Sequence, residues 1–224
     1  KESWWEQIRR WQRSQPLRFT GSLSHIKPQT VIRELHSLTN GEAIITTDVG
    51  QHQMWVAQFY PFNRPRQLIT SGGLGTMGFG LPAAIGAQLA FPEQLVVAVV
   101  GDGGFQMTNQ ELATAVQYDL PVKILIMNNG YLGMVRQWQE MFYDRTYSEV
   151  DISVAPDFVK LAEAFGAVGL RAERPDQLHD VLAAALGHKG VVVVDVVISK
   201  EENVFPMVPA GAASRDMILQ TDGV

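Results

Sequence analysis

Short apolar runs alternate with longer stretches of helical periodicity along most of the chain. The apolar runs predict six strands, at residues 43–47, 67–71, 95–100, 122–127, 167–172 and 191–198. The patterns between them predict helices at residues 29–38, 79–91, 109–118, 157–165 and 175–186. The strand at 95–100, Leu-Val-Val-Ala-Val-Val, lacks polar alternation, which is typical of a strand covered by helices on both faces. We therefore predict an α/β fold, a six-stranded and mainly parallel sheet with helices on both faces.

The two ends of the chain depart from this alternation. The first residues form an amphipathic segment, with Trp4, Ile8 and Trp11 on one face, and lead into a stretch that contains Pro, Ser and Gly. The last residues have no regular period, which predicts an ordered arm or a mobile lid. The predicted organisation is a helical segment and linker at 1–28, the α/β domain at 29–198 and a C-terminal arm at 199–224.

Composition excludes several classes of protein. The 224 residues include no Cys, so disulfide frameworks, zinc fingers, iron–sulfur centres and thiol nucleophiles are excluded. The formal net charge of -5 argues against nucleic acid as a partner, and an anionic ligand would need local dipoles or a metal ion. No apolar run approaches the roughly 20 residues of a membrane span. We expect a cytoplasmic protein, and the start at Lys1, without a signal pattern, indicates a piece of a longer chain.

Two short motifs carry candidate chemistry. Gly101-Asp102-Gly103 ends one predicted strand and Asn128-Asn129 ends the next, with 24 residues between Gly103 and Asn128. That separation fits one helix and two turns, so both motifs are expected at the carboxyl edge of adjacent parallel strands, where such sheets bind ligands. Carboxylate and amide oxygens suit Mg²⁺, which completes its coordination with phosphate and water. We therefore expect Asp102 and Asn129 to converge.

Each motif also has a purely structural interpretation. Gly101-Asp102-Gly103 could be a glycine turn with a buried acid, and the Asn pair could cap a helix. Between them, Thr108 and Glu111 match a capping box, which predicts that the intervening helix begins near residue 109.

A glycine-rich stretch supports a competing function. Residues 71–78 contain the Gly73-x-Gly75-x-x-Gly78 pattern of dinucleotide-binding proteins between a predicted strand and a predicted helix. Asp102 ends the following strand, where a ribose-binding acid would lie, although it comes 29 residues after Gly73 rather than the usual 20 or so. NAD binding by an oxidoreductase therefore stays an alternative, as does a non-catalytic binding or assembly module.

Taken together, these motifs resemble those of the thiamine diphosphate enzymes, in which Gly-Asp-Gly and Asn-Asn hold Mg²⁺ and the diphosphate of the cofactor. Further stretches are more similar to the acetohydroxyacid synthases, the anabolic acetolactate synthases, than to the decarboxylases or oxidases. They are Asp-Val-Gly-Gln-His-Gln-Met-Trp at 48–55, the run 71–88, Met-Val-Arg-Gln-Trp at 134–138 and Pro-Met-Val-Pro at 206–209. The resemblance extends over nearly the whole chain from about Pro28.

The resemblance implies a role for each matching residue. Asp102 and Asn129 would bind Mg²⁺ through side-chain oxygens, and Tyr131 through its backbone carbonyl. The Met77 side chain would bend the cofactor, and Trp138 would favour 2-ketobutyrate over pyruvate as second substrate. The cofactor-binding residues implied are Gly50, Gln51, His52, Gly75, Met77, Gly101, Asp102, Gly103, Gly104, Met107, Asn129, Tyr131, Gly133 and Met134.

The same resemblance implies that the chain is one domain of a larger enzyme. The glutamate that activates thiamine diphosphate and the domain that binds FAD have no counterpart in these residues, so no catalytic residue is identified here. The whole enzyme would condense pyruvate with pyruvate or 2-ketobutyrate in branched-chain amino-acid biosynthesis, as a homodimer or homotetramer with a small regulatory subunit. We expect no appreciable carboligase activity from the isolated chain. Another thiamine diphosphate-dependent 2-keto acid enzyme stays an alternative.

Overall fold

A parallel sheet forms the centre of the computed structural model, which describes residues 1–14, 16–154 and 156–219. The sheet has six strands in the order β2-β1-β3-β4-β6-β5, and every pairing is parallel, which confirms the predicted fold. The strands lie close to the predicted positions: β1 Ile44–Thr47, β2 Leu68–Thr70, β3 Val96–Gly101, β4 Lys123–Asn128, β5 Val168–Ala172 and β6 Val192–Val197.

Helices connect the strands and precede the sheet. They are α1 Glu2–Ser14, α2 Pro28–Leu38, α3 Gln51–Phe59, α4 Gly80–Ala90, α5 Asp102–Thr108, α6 Leu112–Gln117, α7 Gly133–Phe142, α8 Phe158–Ala164 and α9 Pro175–Gly187. The amphipathic first segment is helical as predicted, but α3 and α7 were not predicted. None of the described helices is long and apolar enough to cross a membrane.

The predicted capping box is wrong. The helix begins at Asp102, directly after β3, and a short 3-10 turn at Asn109–Glu111 separates α5 from α6. Thr108 makes no cap; its hydroxyl donates to the Gly78 carbonyl at 3.0 Å. The Thr108 hydroxyl therefore binds a residue distant in sequence, whereas the local pattern predicted that it caps a helix.

The continuous apolar strands are explained by two cores, one on each face of the sheet. Along β3, Val97 and Val99 enter one core, whereas Val96, Ala98 and Val100 enter the other, because successive side chains of a strand point to opposite faces. Helices α2, α3 and α9 contribute buried residues to the first core. Helices α4, α5, α6 and α8 contribute to the second.

The connection from β3 to β4 brings both motifs to one edge of the sheet. The two strands are neighbours in parallel register, with Gly101 opposite Met127. The strand order places β2 on one side of β1 and β4 on the far side of β3, so the direction of winding reverses between β1 and β3. Ligands of open α/β sheets bind outside the carboxyl ends of the strands at such a reversal.

Candidate functional site

A crevice opens at the carboxyl ends of β1, β3 and β4, where the order of strands predicts a ligand site. It is built from the segment after β1, the turn from β3 into α5, and the loop that leads into α7. The lining residues are Val49, Gly50, Gln51, His52, Trp55, Met77, Gly101, Asp102, Gly103, Gly104, Met127, Asn129, Tyr131, Leu132, Gly133, Met134 and Val135.

Asp102 joins the two motifs. Its Oδ1 accepts a hydrogen bond from Gly103 N at 3.0 Å, and its Oδ2 accepts one from Gly130 N at 2.8 Å, immediately after the Asn pair. The side chain is buried, and burial raises the pKa of Asp102 to about 6 despite these hydrogen bonds. A cation beside the carboxylate would offset this cost of burying its charge.

The two side chains of the Asn pair make hydrogen bonds on opposite sides of the loop. Asn129 donates from Nδ2 to Gln51 Oε1 at 3.3 Å, while its Oδ1 accepts from Tyr131 N at 3.0 Å. Asn128 faces away from the crevice, where its Nδ2 donates to Asp195 Oδ1 at 2.9 Å. Arg171 Nε pairs with the other Asp195 oxygen at 2.9 Å. An ion pair on β5 and β6 therefore supports the loop from behind.

Two glycines are required by the close approach of polar side chains. A Cβ on Gly104 would fall onto Asp48 Oδ2, and a Cβ on Gly133 would fall onto Gln51 Oε1. Any side chain at these positions would displace the groups that shape the crevice. The absence of a side chain at both positions therefore leaves room for Asp48 and Gln51 beside the crevice.

Two buried polar side chains beside the crevice each have one polar atom without a hydrogen-bond partner among the described residues. Asp48 accepts from Gly78 N at 2.6 Å through Oδ1, but its Oδ2 has no hydrogen bond, and burial raises its pKa. His52 Nε2 also has no partner. Burial lowers the pKa of His52 to about 3, opposed by a hydrogen bond to the Asp48 backbone, so the ring is neutral. His52 is therefore a buried, neutral ring that lines the crevice.

The glycine-rich loop at 71–79 does not form a dinucleotide-binding turn. It follows β2, a three-residue strand at the edge of the sheet, and α4 begins only at Gly80. In the dinucleotide fold, a tight glycine turn joins strand to helix. Here Gly78 is instead held between Asp48 and Thr108, and the loop places Met77 in the crevice. This geometry does not support the NAD alternative.

Three predicted site residues lie outside the crevice lining. Gly75 is in the exposed loop with a positive φ of 64°, Met107 is 53% exposed on α5, and Trp138 is 42% exposed one turn beyond Met134 on α7. Their implied roles stay predictions. Sequence reasoning missed Val49, Trp55, Met127, Leu132 and Val135, although most of them lie within or beside the stretches that carry the resemblance.

The donor set fits a hard cation bound together with a diphosphate. Among the described residues, no group of three or more His, Cys, Asp or Glu could hold a metal, so a site here depends on mixed donors. A buried carboxylate, an amide oxygen and a nearby backbone carbonyl are such donors, and Mg²⁺ accepts one carboxylate plus phosphate oxygens. The close glycine backbone suits the anionic group.

Comparison with known proteins agrees with this geometry. Residues 48–196 match the family described as "Thiamine pyrophosphate enzyme, C-terminal TPP binding domain". The chain is 50% identical over 219 residues to the acetolactate synthase isozyme 3 large subunit of Escherichia coli, covering 96% of this chain and 38% of that protein. It is 53% identical over 193 residues to the acetolactate synthase large subunit of Lactococcus lactis, covering 86% of this chain and 33% of the relative.

A eukaryotic relative extends the pattern. The mitochondrial acetolactate synthase catalytic subunit of Saccharomyces cerevisiae is 47% identical over 223 residues, covering 97% of this chain and 32% of that protein. The chain thus spans less than half the length of the relatives it matches. The family match covers the crevice residues from Gly50 to Val135 and most of the sheet. The chain belongs to the family of C-terminal TPP binding domains of thiamine pyrophosphate enzymes.

Proposed function

We propose that the chain is the diphosphate-binding domain of an acetohydroxyacid synthase catalytic subunit. The observation that carries the proposal is the hydrogen bond of 2.8 Å from Gly130 N to Asp102 Oδ2, which brings both halves of the metal–diphosphate motif into one crevice. Identity of 50% over 96% of the chain with a protein named acetolactate synthase large subunit supports this branch of the family. Because the chain spans 38% of that relative, the activity belongs to a longer protein.

The metal ion would be held by three groups of this chain. Asp102 and Asn129 would contribute side-chain oxygens and Tyr131 its backbone carbonyl, leaving Mg²⁺ free to bind diphosphate oxygens and water. Asp102 favours this role because burial alone makes its ionised form costly, and a bound cation offsets that cost. Gly103 and Gly104 would let the backbone approach the diphosphate.

The remaining crevice residues would bind and orient the cofactor. Thiamine diphosphate, when bound, supplies a carbanion that attacks the keto acid. His52 lines the crevice as a buried, neutral ring, so it would contact the cofactor without bringing a net charge into the crevice. Met77, whose terminal methyl would lie 3.8 Å from a Cβ on Gly103, lines the crevice and would bend the bound cofactor. Trp138, exposed at the rim, would contact the second substrate.

The complete protein would join the two-carbon unit of pyruvate to a second pyruvate or to 2-ketobutyrate. We place this reaction in branched-chain amino-acid biosynthesis in the cytoplasm, carried out by a homodimer or homotetramer with a small regulatory subunit and FAD bound elsewhere. The activating glutamate would come from a segment outside these residues, so the isolated chain would have no appreciable carboligase activity. Acetolactate formation from pyruvate by the purified chain would contradict this last point.

Calorimetric titration tests the proposal directly. The chain is titrated with thiamine diphosphate with and without Mg²⁺, with NAD in parallel, and Asp102→Ala is the matched variant. We expect binding that requires Mg²⁺ and is abolished by the substitution. Metal-independent binding of NAD would replace the proposal with a dinucleotide-binding function, and Mg²⁺-dependent binding that survives Asp102→Ala would remove Asp102 from the metal site.

A further inference from the structure

Between β6 and residue 219, the last described residue, the chain has almost no regular structure, yet side chains of the two helices that border the crevice hold it closely. Gln58 on α3 donates from Nε2 to the Phe205 carbonyl at 3.0 Å. Gln137 on α7 is completely buried and contacts the neighbouring residue, Val204, which is itself buried. We name residues 202–207 the docked segment.

The side-chain amide of Gln137 makes two hydrogen bonds to the backbone of the docked segment. Its Oε1 accepts from Val204 N at 2.8 Å, and its Nε2 donates to Val204 O at 3.0 Å. The same Oε1 accepts a second hydrogen bond, from Gln51 Nε2, at 2.9 Å. With two donors facing it, that atom must be the oxygen, so the orientation of the Gln137 amide is determined by its partners.

This orientation is passed on to the crevice. Because Gln51 presents its Nε2 to Gln137 and to Glu202 O at 3.1 Å, its Oε1 is turned towards Asn129. Asn129 presents Nδ2 to Gln51 at 3.3 Å, and its Oδ1, on the opposite side of the amide, also accepts from Tyr131 N at 3.0 Å. Oδ1 is the Asn129 atom suited to a cation, since an amide nitrogen donates hydrogen bonds and does not ligate Mg²⁺.

We propose that Gln137 is a positioning residue that couples the docked segment to the metal–diphosphate site. Its amide, oriented by the Val204 peptide, sets the orientation of Gln51, and Gln51 together with the Tyr131 N–H orients the Asn129 amide. Binding of Mg²⁺ and thiamine diphosphate, which rests on the proposed function, and docking of residues 202–207 therefore stabilise each other, because such coupling is reciprocal. Loss of groups that orient a metal ligand typically weakens metal binding by about 10–100-fold.

The test uses the 224-residue chain with two substitutions on one helix. Gln137→Leu removes the hydrogen bonds of Gln137 to Val204 N, Val204 O and Gln51. The Asn129 side chain then depends on Gln51 without the support of Gln137. Gln139→Leu is the matched control. Gln139 also binds a peptide group, because its Oε1 accepts from Ser148 N at 3.2 Å and its Nε2 donates to Ser148 O at 3.0 Å, and neither hydrogen bond involves Gln51. Calorimetry gives the Mg²⁺ requirement for thiamine diphosphate binding, and hydrogen exchange gives the protection of amides in the docked segment.

We expect Mg²⁺ with thiamine diphosphate to slow exchange at Val204 in the unsubstituted chain and in Gln139→Leu. In Gln137→Leu, we expect fast exchange that the ligands do not change and about a tenfold higher Mg²⁺ requirement. Wild-type-like Mg²⁺ affinity in Gln137→Leu, with the segment released, would overturn the coupling alone. Absence of thiamine diphosphate binding in the unsubstituted chain would overturn the proposed function and the coupling with it.

A second variant covers the case in which Gln137→Leu does not fold. Gln58→Leu removes the hydrogen bond to the Phe205 carbonyl but leaves Gln137, Gln51 and Asn129 intact. We expect faster exchange in residues 202–207 and a Mg²⁺ requirement raised by a few-fold. Release of the segment with unchanged Mg²⁺ binding in this variant would also overturn the coupling.

Discussion

Buried polar side chains occupy both edges of the sheet, but they differ in how their hydrogen bonds are used. At the amino edge, Gln67 accepts from Asn63 N and Arg64 N and donates to Gly41 O at 2.8 Å. Lys123, at the start of β4, donates to His188 O and Gly190 O, each at 2.7 Å. Both side chains close the loops that lead into the strands.

At the carboxyl edge, comparable burial leaves polar atoms without partners. Asp48 Oδ2 and His52 Nε2 have none, and the pKa of Asp102 is raised by burial. The contrast is one of degree, because the amino edge also has a buried polar atom without a partner. Near that edge, Gln88 donates from Nε2 to loop carbonyls, but its Oε1 has no partner among the described residues. A buried polar group whose hydrogen bonds are all made stabilises the fold. A buried polar group that lacks a partner at a crevice is available to a ligand, and it reduces the stability of the protein when no ligand is bound.

Among substitutions that distinguish the two edges, we expect the largest effect, a loss of ligand affinity, at Asp102. Asp102→Asn removes the ionised ligand, so Mg²⁺-dependent affinity for thiamine diphosphate should fall by more than about 100-fold. Stability should change by less than about 1 kcal/mol, because the loss of one hydrogen bond is offset by the removal of a buried charge. Calorimetry and urea unfolding measure the two quantities on the same sample. A large loss of stability would contradict the assignment of Asp102 to ligand binding.

The opposite outcome is expected at the amino edge for Gln67. Gln67→Ala leaves two backbone N–H groups and the Gly41 carbonyl without partners, at a cost of about 2–3 kcal/mol in the free energy of unfolding. Thiamine diphosphate affinity under folding conditions should not change. Gln12→Ala, an exposed glutamine on α1, is the control for the substitution itself. If Gln67→Ala weakened ligand binding without loss of stability, the distinction between a stabilising amino edge and a ligand-binding carboxyl edge would be wrong.

The smallest effect concerns the pH dependence contributed by Lys123. Burial lowers the pKa of Lys123 from 10.5 to about 8. Between these two pH values the side chain is largely deprotonated in the folded state and protonated in the unfolded state, so the unfolded state binds more protons. Stability from this group therefore rises with pH across that window. The unfolding free energy of the unsubstituted chain minus that of Lys123→Met should increase between pH 8 and 10, by at most about 1.4 kcal/mol per unit. Urea unfolding at several pH values measures the difference, and a flat or falling difference would contradict it.

The strands and the meeting of the two motifs were predictable from sequence for specific reasons. The run at 95–100 is apolar throughout because two cores cover β3, so its pattern identifies a strand without tertiary information. The separation of Gly103 from Asn128 leaves room for only one crossover, and chirality and short turns place both motifs at one edge. Helix α3 was missed because polar residues such as Gln51 are buried and break the expected amphipathic pattern. Helix α7 is amphipathic, so its sequence pattern could have predicted it.

By itself, the sequence determined the α/β class, the six strands and the pair of motifs that meets at the crevice, because these depend on local apolar periodicity and on chain length between turns. Only the tertiary structure decided that Thr108 holds Gly78 rather than capping a helix, that Met107 faces outward and that Gln137 clamps Val204. The physical reason is that a polar side chain is assigned its role by its hydrogen-bond partners. Those partners lie tens of residues away in sequence and become neighbours only when the sheet has formed.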